Sequence, residues 1–196
     1  MRVILGSGSP RRRELIGLIY PDFDVVVPNI NEKAHSGETS VSFTERMSRE
    51  KMAAIMPFCR DEEMPFLAIT ADTVVSINGR SIGKPADFED ARRILKVLSA
   101  QTHEVITSVT LFMKQRRKYD IMLTAHETTK VVFTKLNDAD IIRYLNMVEY
   151  MDKAGAYSVQ ENGEFIIEKI VGSISNVAGF PLRLFLQMLP AAALRS

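Results

Sequence analysis

The stretch GSGSPRRREL, residues 6 to 15, runs out of the short apolar strand at residues 3–5 and combines residue types that hold phosphate. Ser9 suits an N-cap, Pro10 suits the first helical position, and Gly6 and Gly8 let backbone come close to a ligand. A helix starting at Pro10 carries Arg11, Arg12 and Arg13 in its first turn, at the positive end of the helix dipole where acidic side chains are favoured. An anion such as phosphate, lying across the exposed N–H groups, removes that conflict, because guanidinium forks match its oxygens. The same residues also suit a plain surface helix with its arginines in water.

Asp72 is the second chemical signal. It sits inside the apolar run FLAITADTVVSI, residues 66–77, where a carboxylate is expensive to bury unless it is paired or bound to metal. The bland alternative is a carboxylate hydrogen-bonded to backbone at a strand irregularity. After the turn residues Asn78 and Gly79, a short return through Ser81 and Ile82 leads Gly83-Lys84-Pro85 back toward the strand that carries Asp72. Acid and base then share one cleft, although Lys84 suits an exposed loop equally well. On the helix expected over residues 41–56, Met47, Lys51, Ala54 and Ile55 form one apolar stripe. That stripe turns the Lys51 ammonium toward a buried cleft, or lets its stem snorkel to water. Glu32, in the polar loop NINEKA, is a candidate oxygen ligand for a divalent cation.

Alternating strands and helices with at least one hairpin indicate an α/β fold with a mixed sheet to position these residues. Helices are expected over residues 10–18, 41–56, 88–98, 139–146 and 181–189, with strands filling much of the remainder. Residues 104–113 and 119–133 flank KQRRK, residues 114–118, which reads as the solvated tip of a second hairpin rather than a nucleic-acid patch. At 196 residues the chain is expected to form one domain, 1–196, able to bury a sizeable core.

Composition narrows the function. A hydrophobic content of 46% argues against wholesale disorder, and a net charge of +1 argues against a surface that coats nucleic acid. The single cysteine, Cys59, has no internal disulfide partner and fits a reducing compartment. No apolar run is long enough to span a membrane, and the N-terminus opens into a strand without a signal-peptide core, so the expected location is cytoplasmic. The lysine-serine or lysine-threonine ending of a P-loop is missing, and so are HExxH, a cysteine cluster and a G-x-S-x-G elbow. Mg²⁺ or Mn²⁺ held by carboxylates and phosphates is the metal chemistry that fits what remains.

The string GSGSPRRREL, Glu32 in its loop, REK ending at Lys51, ADTVV from Ala71, GKP from Gly83, QTHEV from Gln101, DKAGAYSVQ from Asp152 and NVAGFPL from Asn176 resemble, in order and spacing, the Maf family. That family consists of nucleoside triphosphate pyrophosphatases, also called septum formation inhibitor Maf-like proteins. The resemblance implies an elongated α/β fold similar to that of inosine triphosphate pyrophosphatase, with a mixed sheet, flanking helices and two lobes around a deep cleft. It also implies a homodimer, and hydrolysis between the α and β phosphates of a nucleoside triphosphate. Carried over by motif, Asp72 resembles the catalytic acidic residue, acting as proton acceptor or metal ligand, and Glu32 its acidic partner and a further metal ligand. Ser7, Ser9, Arg11, Arg12, Lys51 and Lys84 resemble the polar and cationic shell around the phosphates. Gly6 and Ala100 stand where Ala and Gly are more usual.

Thr73, Arg11 and Gln160 resemble the branch acting on dTTP and UTP rather than on 7-methyl-GTP. Gln160 offers a donor and an acceptor, which suits the O4 and N3–H edge of uracil or thymine. The expected mechanism has a divalent cation bridging Glu32, Asp72 and phosphate oxygens while water attacks the α-phosphorus. Two other classes compete: a nucleotide-binding regulator of cell division that does not hydrolyse its ligand, and a nucleic-acid-binding protein using the arginine cluster. The first gains little from a carboxylate in an apolar strand, and the near-zero net charge and absence of tryptophan disfavour the second.

Overall fold

The computed structural model describes residues 1–59, 64–114 and 120–194. They form a mixed α/β architecture, a seven-stranded sheet with flanking helices. In chain order the elements are β1 (Arg2–Gly6), α1 (Pro10–Gly17), β2 (Asp24–Val25), α2 (Ser40–Ile55), β3 (Phe66–Ile77) and β4 (Arg80–Ile82). There follow α3 (Phe88–Leu98), β5 (Thr102–Lys114), β6 (Ile121–Phe133), α4 (Asp138–Leu145), β7 (Ile167–Val171), α5 (Ile174–Val177) and α6 (Leu182–Leu194). The sheet order is β2-β1-β3-β5-β6-β7, with β4 paired to β3. No helix among the described residues is long and apolar enough to cross a membrane.

The chain divides into two compact units. The first comprises Met1–Asp72, Thr107–Glu127 and Gly179–Ser196. In it, β1 runs parallel to both β2 and β3, and Gly6 stands opposite Thr70 in the β1–β3 register. Ile4, Met52, Ile55, Cys59, Phe66 and Ala68 form one of its apolar clusters. α2 is capped by Thr39, whose side chain accepts from the Ser42 amide at 3.1 Å.

The second unit comprises Thr73–Ile106 and Thr128–Ala178. Asn78 and Gly79 both adopt positive φ, 50° and 74°, as a two-residue hairpin between twisted strands requires. They close the antiparallel β3–β4 pair, in which Val75 faces Ile82. α3 packs on α4 over a core that includes Leu95, Leu98, Ile141 and Tyr144. A capping box between Asn137 and Asp140 starts α4. Ala100 follows α3 with φ 56°, a backbone conformation that favours glycine, so alanine there carries strain.

Several sequence expectations shift when the chain folds. The helix expected over 181–189 begins at Leu182 and runs to Leu194, past Pro190, where the missing N–H of proline marks the expected end. The apolar stripe on α2 does not include Ala54, which is only half-buried; the buried residues are Ser40, Thr44, Met47, Ser48, Lys51, Met52 and Ile55. The short α5 was not anticipated. The hairpin tip expected at 114–118 falls, after Lys114, outside the described residues.

Candidate functional site

β1 delivers its C-terminal end to a tight loop, Ser7 to Ser9, that starts α1. Ser7 is buried, and its Oγ accepts from the Ser9 amide at 3.2 Å and from Arg12 at 3.4 Å. Ser9 occupies the N-cap position with extended backbone, φ −71° and ψ 122°, but its side chain makes no capping bond. Pro10 enters the first turn, and that turn holds no acidic residue. The anticipated conflict between the arginines and the helix dipole is therefore present in the folded chain.

The three arginines diverge. Arg13 is exposed and Arg11 half-exposed, whereas Arg12 turns inward. Its Nε donates to the Gly179 carbonyl at 2.9 Å and its Nη1 to the Ala71 carbonyl at 2.8 Å. Burial pushes the Arg12 guanidinium below its usual range, opposed by the nearby charge of Asp72. Arg12 thus joins the first loop, the middle of β3 and the approach to α6. The sequence suits Arg12 to a phosphate or to open water, and signals neither of these backbone contacts.

Asp72 is 5% exposed, and the charge expected to need a partner has one. Lys51 reaches from the buried face of α2 to Oδ1 of Asp72 at 2.6 Å and to Oε1 of Glu32 at 2.8 Å. Lys51 therefore faces inward and does not snorkel. Oδ2 of Asp72 is buried with no hydrogen-bond partner. Burial raises the Asp72 pKa above the ordinary aspartate value, while Lys51 and Arg12 pull it down and Glu32 adds to the rise. A carboxylate oxygen left bare beside two cations is a strong acceptor for water or a metal ion.

Around this pair lies a set of hydroxyl contacts that the sequence reading missed. Thr44 meets Ser108 at 2.7 Å, Ser48 meets Thr110 at 2.9 Å, and Thr110 meets Thr124 at 2.9 Å. Thr70 donates to the Ser48 carbonyl at 2.7 Å. The available clue was the spacing of Ser40, Thr44 and Ser48 at every fourth residue of α2, which sets three hydroxyls on one helix face.

Thr73, Lys84 and Gln160 belong to the second unit. Thr73 is half-buried where the rest of β3 is buried. Lys84 is exposed two residues beyond β4, and the neighbouring Gly83 carbonyl accepts from the Gly155 amide at 3.0 Å. That bond ties the GKP segment to the DKAGAYSVQ segment. Gln160 is exposed, its amide held by the Ser158 hydroxyl at 3.2 Å. In the same unit His103 is buried against Tyr157, its Nε2 2.8 Å from the phenol oxygen, and burial lowers its pKa to about 4.

The carboxylates meet the requirements of a divalent cation in part. Glu32 and Asp72 share one ammonium, and one buried carboxylate oxygen is unbonded. Among the described residues no group of three or more His, Cys, Asp or Glu side chains forms a complete cage. Two carboxylates with water and phosphate oxygens completing the shell is the pattern Mg²⁺ favours.

Comparison with known proteins bears on the whole chain. The family profile described as Maf-like protein matches residues 2–192. A Chromobacterium violaceum protein named dTTP/UTP pyrophosphatase is 40% identical over 184 residues, covering 92% of this chain and 89% of its own length. A Geobacter metallireducens protein of the same name is 41% identical over 181 residues, covering 92% and 91%. Among solved structures, a HAM1 protein from Coxiella burnetii aligns over 97% of this chain and 99% of its own, with a TM-score of 0.48 and 16% identity.

Proposed function

This chain belongs to the Maf-like protein family, and on that premise we propose that it is a nucleoside triphosphate pyrophosphatase acting on dTTP and UTP. It cleaves between the α and β phosphates to give the monophosphate and pyrophosphate. The observation that carries this reading is the Glu32–Lys51–Asp72 cluster with its one buried, unbonded carboxylate oxygen.

Charge accounts for the arrangement. Lys51 and Arg12 balance Glu32 and Asp72, so the cluster is close to neutral before substrate arrives. A triphosphate then adds negative charge that the cluster alone does not offset. Glu32 and Asp72 would hold a divalent cation, Mg²⁺ or Mn²⁺, which would supply that neutralisation and make bound water more acidic. Oδ2 of Asp72 orients the attacking water and accepts its proton. Burial makes Asp72 a stronger base than free aspartate, whose pKa is about 3.9, and Lys51 keeps it ionised for the task. Ser7, Ser9 and Arg11 bind phosphate oxygens at the start of α1, where helix N–H groups favour anions. Arg12 holds that loop against β3 and lends its charge to the carboxylates.

The family resemblance supports Lys84 as a further phosphate-binding cation and Thr73 and Gln160 as base-reading residues. The matched span supports reading residues 2–192 as one catalytic domain. The same resemblance favours a homodimer, testable by light scattering, and no partnership with nucleic acid. The single cysteine, Cys59, buried with its thiol donating to the Ile55 carbonyl, suits a cytoplasmic setting.

A nucleotide panel with Mg²⁺ or Mn²⁺, scored for pyrophosphate against orthophosphate, tests the reading. Pyrophosphate release from dTTP and UTP ahead of purine triphosphates, abolished by excess EDTA, is expected. Orthophosphate as the sole primary product, or full activity in EDTA, overturns the chemistry. Tight nucleotide binding without any product would instead favour a regulator of division or septum formation.

A further inference from the structure

We propose that Thr70 is a positioning residue for the Lys51–Asp72 pair, and that glycine at position 6 makes room for it. β3 sets Thr70 and Asp72 two residues apart, so their side chains share one face of the strand. α2 sets Ser48 and Lys51 three residues apart, on one face of the helix. Two successive rungs therefore join the same strand to the same helix: Thr70 Oγ1 to the Ser48 carbonyl at 2.7 Å, and Lys51 Nζ to Asp72 Oδ1 at 2.6 Å. The Ser48 hydroxyl is engaged elsewhere, with Thr110 at 2.9 Å and the Glu45 carbonyl at 2.9 Å. Together with Thr44–Ser108, those bonds hold α2 to β5. Thr70 instead fixes the height of α2 along β3, and with it the reach of a long, rotatable lysine stem toward a single carboxylate oxygen.

Space for this arrangement comes from β1. Gly6 is the register partner of Thr70, and a Cβ at position 6 would lie 2.5 Å from Thr70 Cγ2 and 2.8 Å from Ile55 Cδ1. Any larger residue at position 6 collides with the threonine methyl.

The inference rests on the proposed pyrophosphatase activity only for its kinetic readout. Thr70→Val keeps the branched shape and removes the donor, while Thr70→Ser keeps the donor. With dTTP, Thr70→Val is expected to lower kcat by about 10-fold to 10²-fold with little change in KM, the scale of a small misplacement in a catalytic group. Thr70→Ser is expected to retain most of the rate. In an Asp72→Asn background Thr70→Val should add little further loss, since both act on one pair. A purely packing role predicts a lower Tm, unchanged kcat per folded molecule and additive effects, and that pattern overturns the proposal. Thr70→Ala reads the same donor loss if valine disturbs folding.

A second arm needs no turnover. The Lys51 ammonium signal in ¹H–¹⁵N NMR, identified by its disappearance in Lys51→Met, should be retained in Thr70→Ser and broadened by solvent exchange in Thr70→Val. Persistence in Thr70→Val refutes the positioning role even in an inactive protein. A wild-type chain that releases no pyrophosphate refutes the activity alone. Gly6→Ala should lower Tm, with partial recovery in Gly6→Ala/Thr70→Ser; a Gly6→Ala protein as stable as wild type removes the argument about space.

Discussion

The two units hold their helices by different chemistry. In the first, α2 adds to an apolar cluster with Ile4, Phe66 and Ala68 a set of fully buried hydroxyls, Thr44, Ser48, Thr70, Ser108 and Thr110, and the buried Lys51–Asp72 ion pair. In the second, α3 and α4 pack through Ala91, Ile94, Leu95, Leu98, Ile141 and Tyr144. His103, Phe133 and Tyr157 stack edge to face beside them, with ring centroids 4.8 to 5.4 Å apart. Apolar burial is non-directional, so a core of this kind stabilises without dictating one fine placement. Hydrogen bonds weaken steeply with distance and angle, so a buried hydroxyl ladder sets positions closely at a smaller net gain. Placement matters most in the unit that holds the buried acid and base.

Acid separates the units too. Asp72 has a raised pKa in the folded chain, so the folded state binds its proton more readily than the unfolded state does. Its ionised form therefore costs stability above the folded pKa, and that cost disappears as pH falls toward the unfolded value. His103 is the reverse case. Its pKa is depressed to about 4 by burial, so the neutral ring favours the fold above the unfolded value, and that advantage is lost as pH falls toward 4.

The sharpest way to break the contrast is Asp72→Asn. Turnover should fall by about 10²-fold to 10⁴-fold, the range for a positioned acid or base. Tm at pH 7 should hold or rise, because a buried charge is removed and Lys51 keeps Glu32. Steady-state kinetics beside a melting curve decides it; lost stability with intact turnover makes Asp72 a structural residue. Leu95→Ala should show the opposite pattern in the second unit. A cavity at this fully buried leucine should cost about 2–5 kcal/mol by denaturant titration, with kcat per folded molecule unchanged.

A smaller effect is expected from His103. Between pH 6.5 and 4 its titration should remove about 3 kcal/mol of stability, a loss that His103→Gln abolishes. Parallel pH dependence in the two proteins would assign acid sensitivity elsewhere. Ala100→Gly should give the smallest change, a gain of about 1 kcal/mol from relieving the φ of 56°. An unchanged or lower midpoint would mean that the alanine methyl contributes packing equal to its strain.

Local pattern carried much of the fold. The strand Phe66–Ile77 and the helix Phe88–Leu98 stand at the residues expected, because an unbroken apolar run and an amphipathic stripe with a capping Asp87 are both written in adjacent positions. The apolar stripe on α2 leaves the Lys51 ammonium either inward or snorkelling to water, and only its contact with Asp72 decides between them. The role of Arg12 was not legible. A cation at a helix start has the same local signature whether its fork meets a phosphate or the carbonyls of Ala71 and Gly179, and those carbonyls are distant in sequence. The hydroxyl rungs escaped because Ser and Thr carry little apolar signal, although their spacing on α2 matched a buried face. Glu32, in a loop without periodicity, became interpretable only through the lysine it meets.

Arg12 also imposes an order on synthesis. Its bond to Gly179 spans 167 residues, and the first unit draws on three separated stretches of chain. On a ribosome, which releases the N-terminal end first, the loop at residues 7–12 emerges early and waits for its last anchor until residue 179 is made. The second unit ends at residue 178 and so is completed only one residue earlier. The loop at residues 7–12 is thus translated early and among the last parts to be fixed, so a nascent chain stopped before residue 179 lacks the bond from Arg12 to Gly179 that locks it.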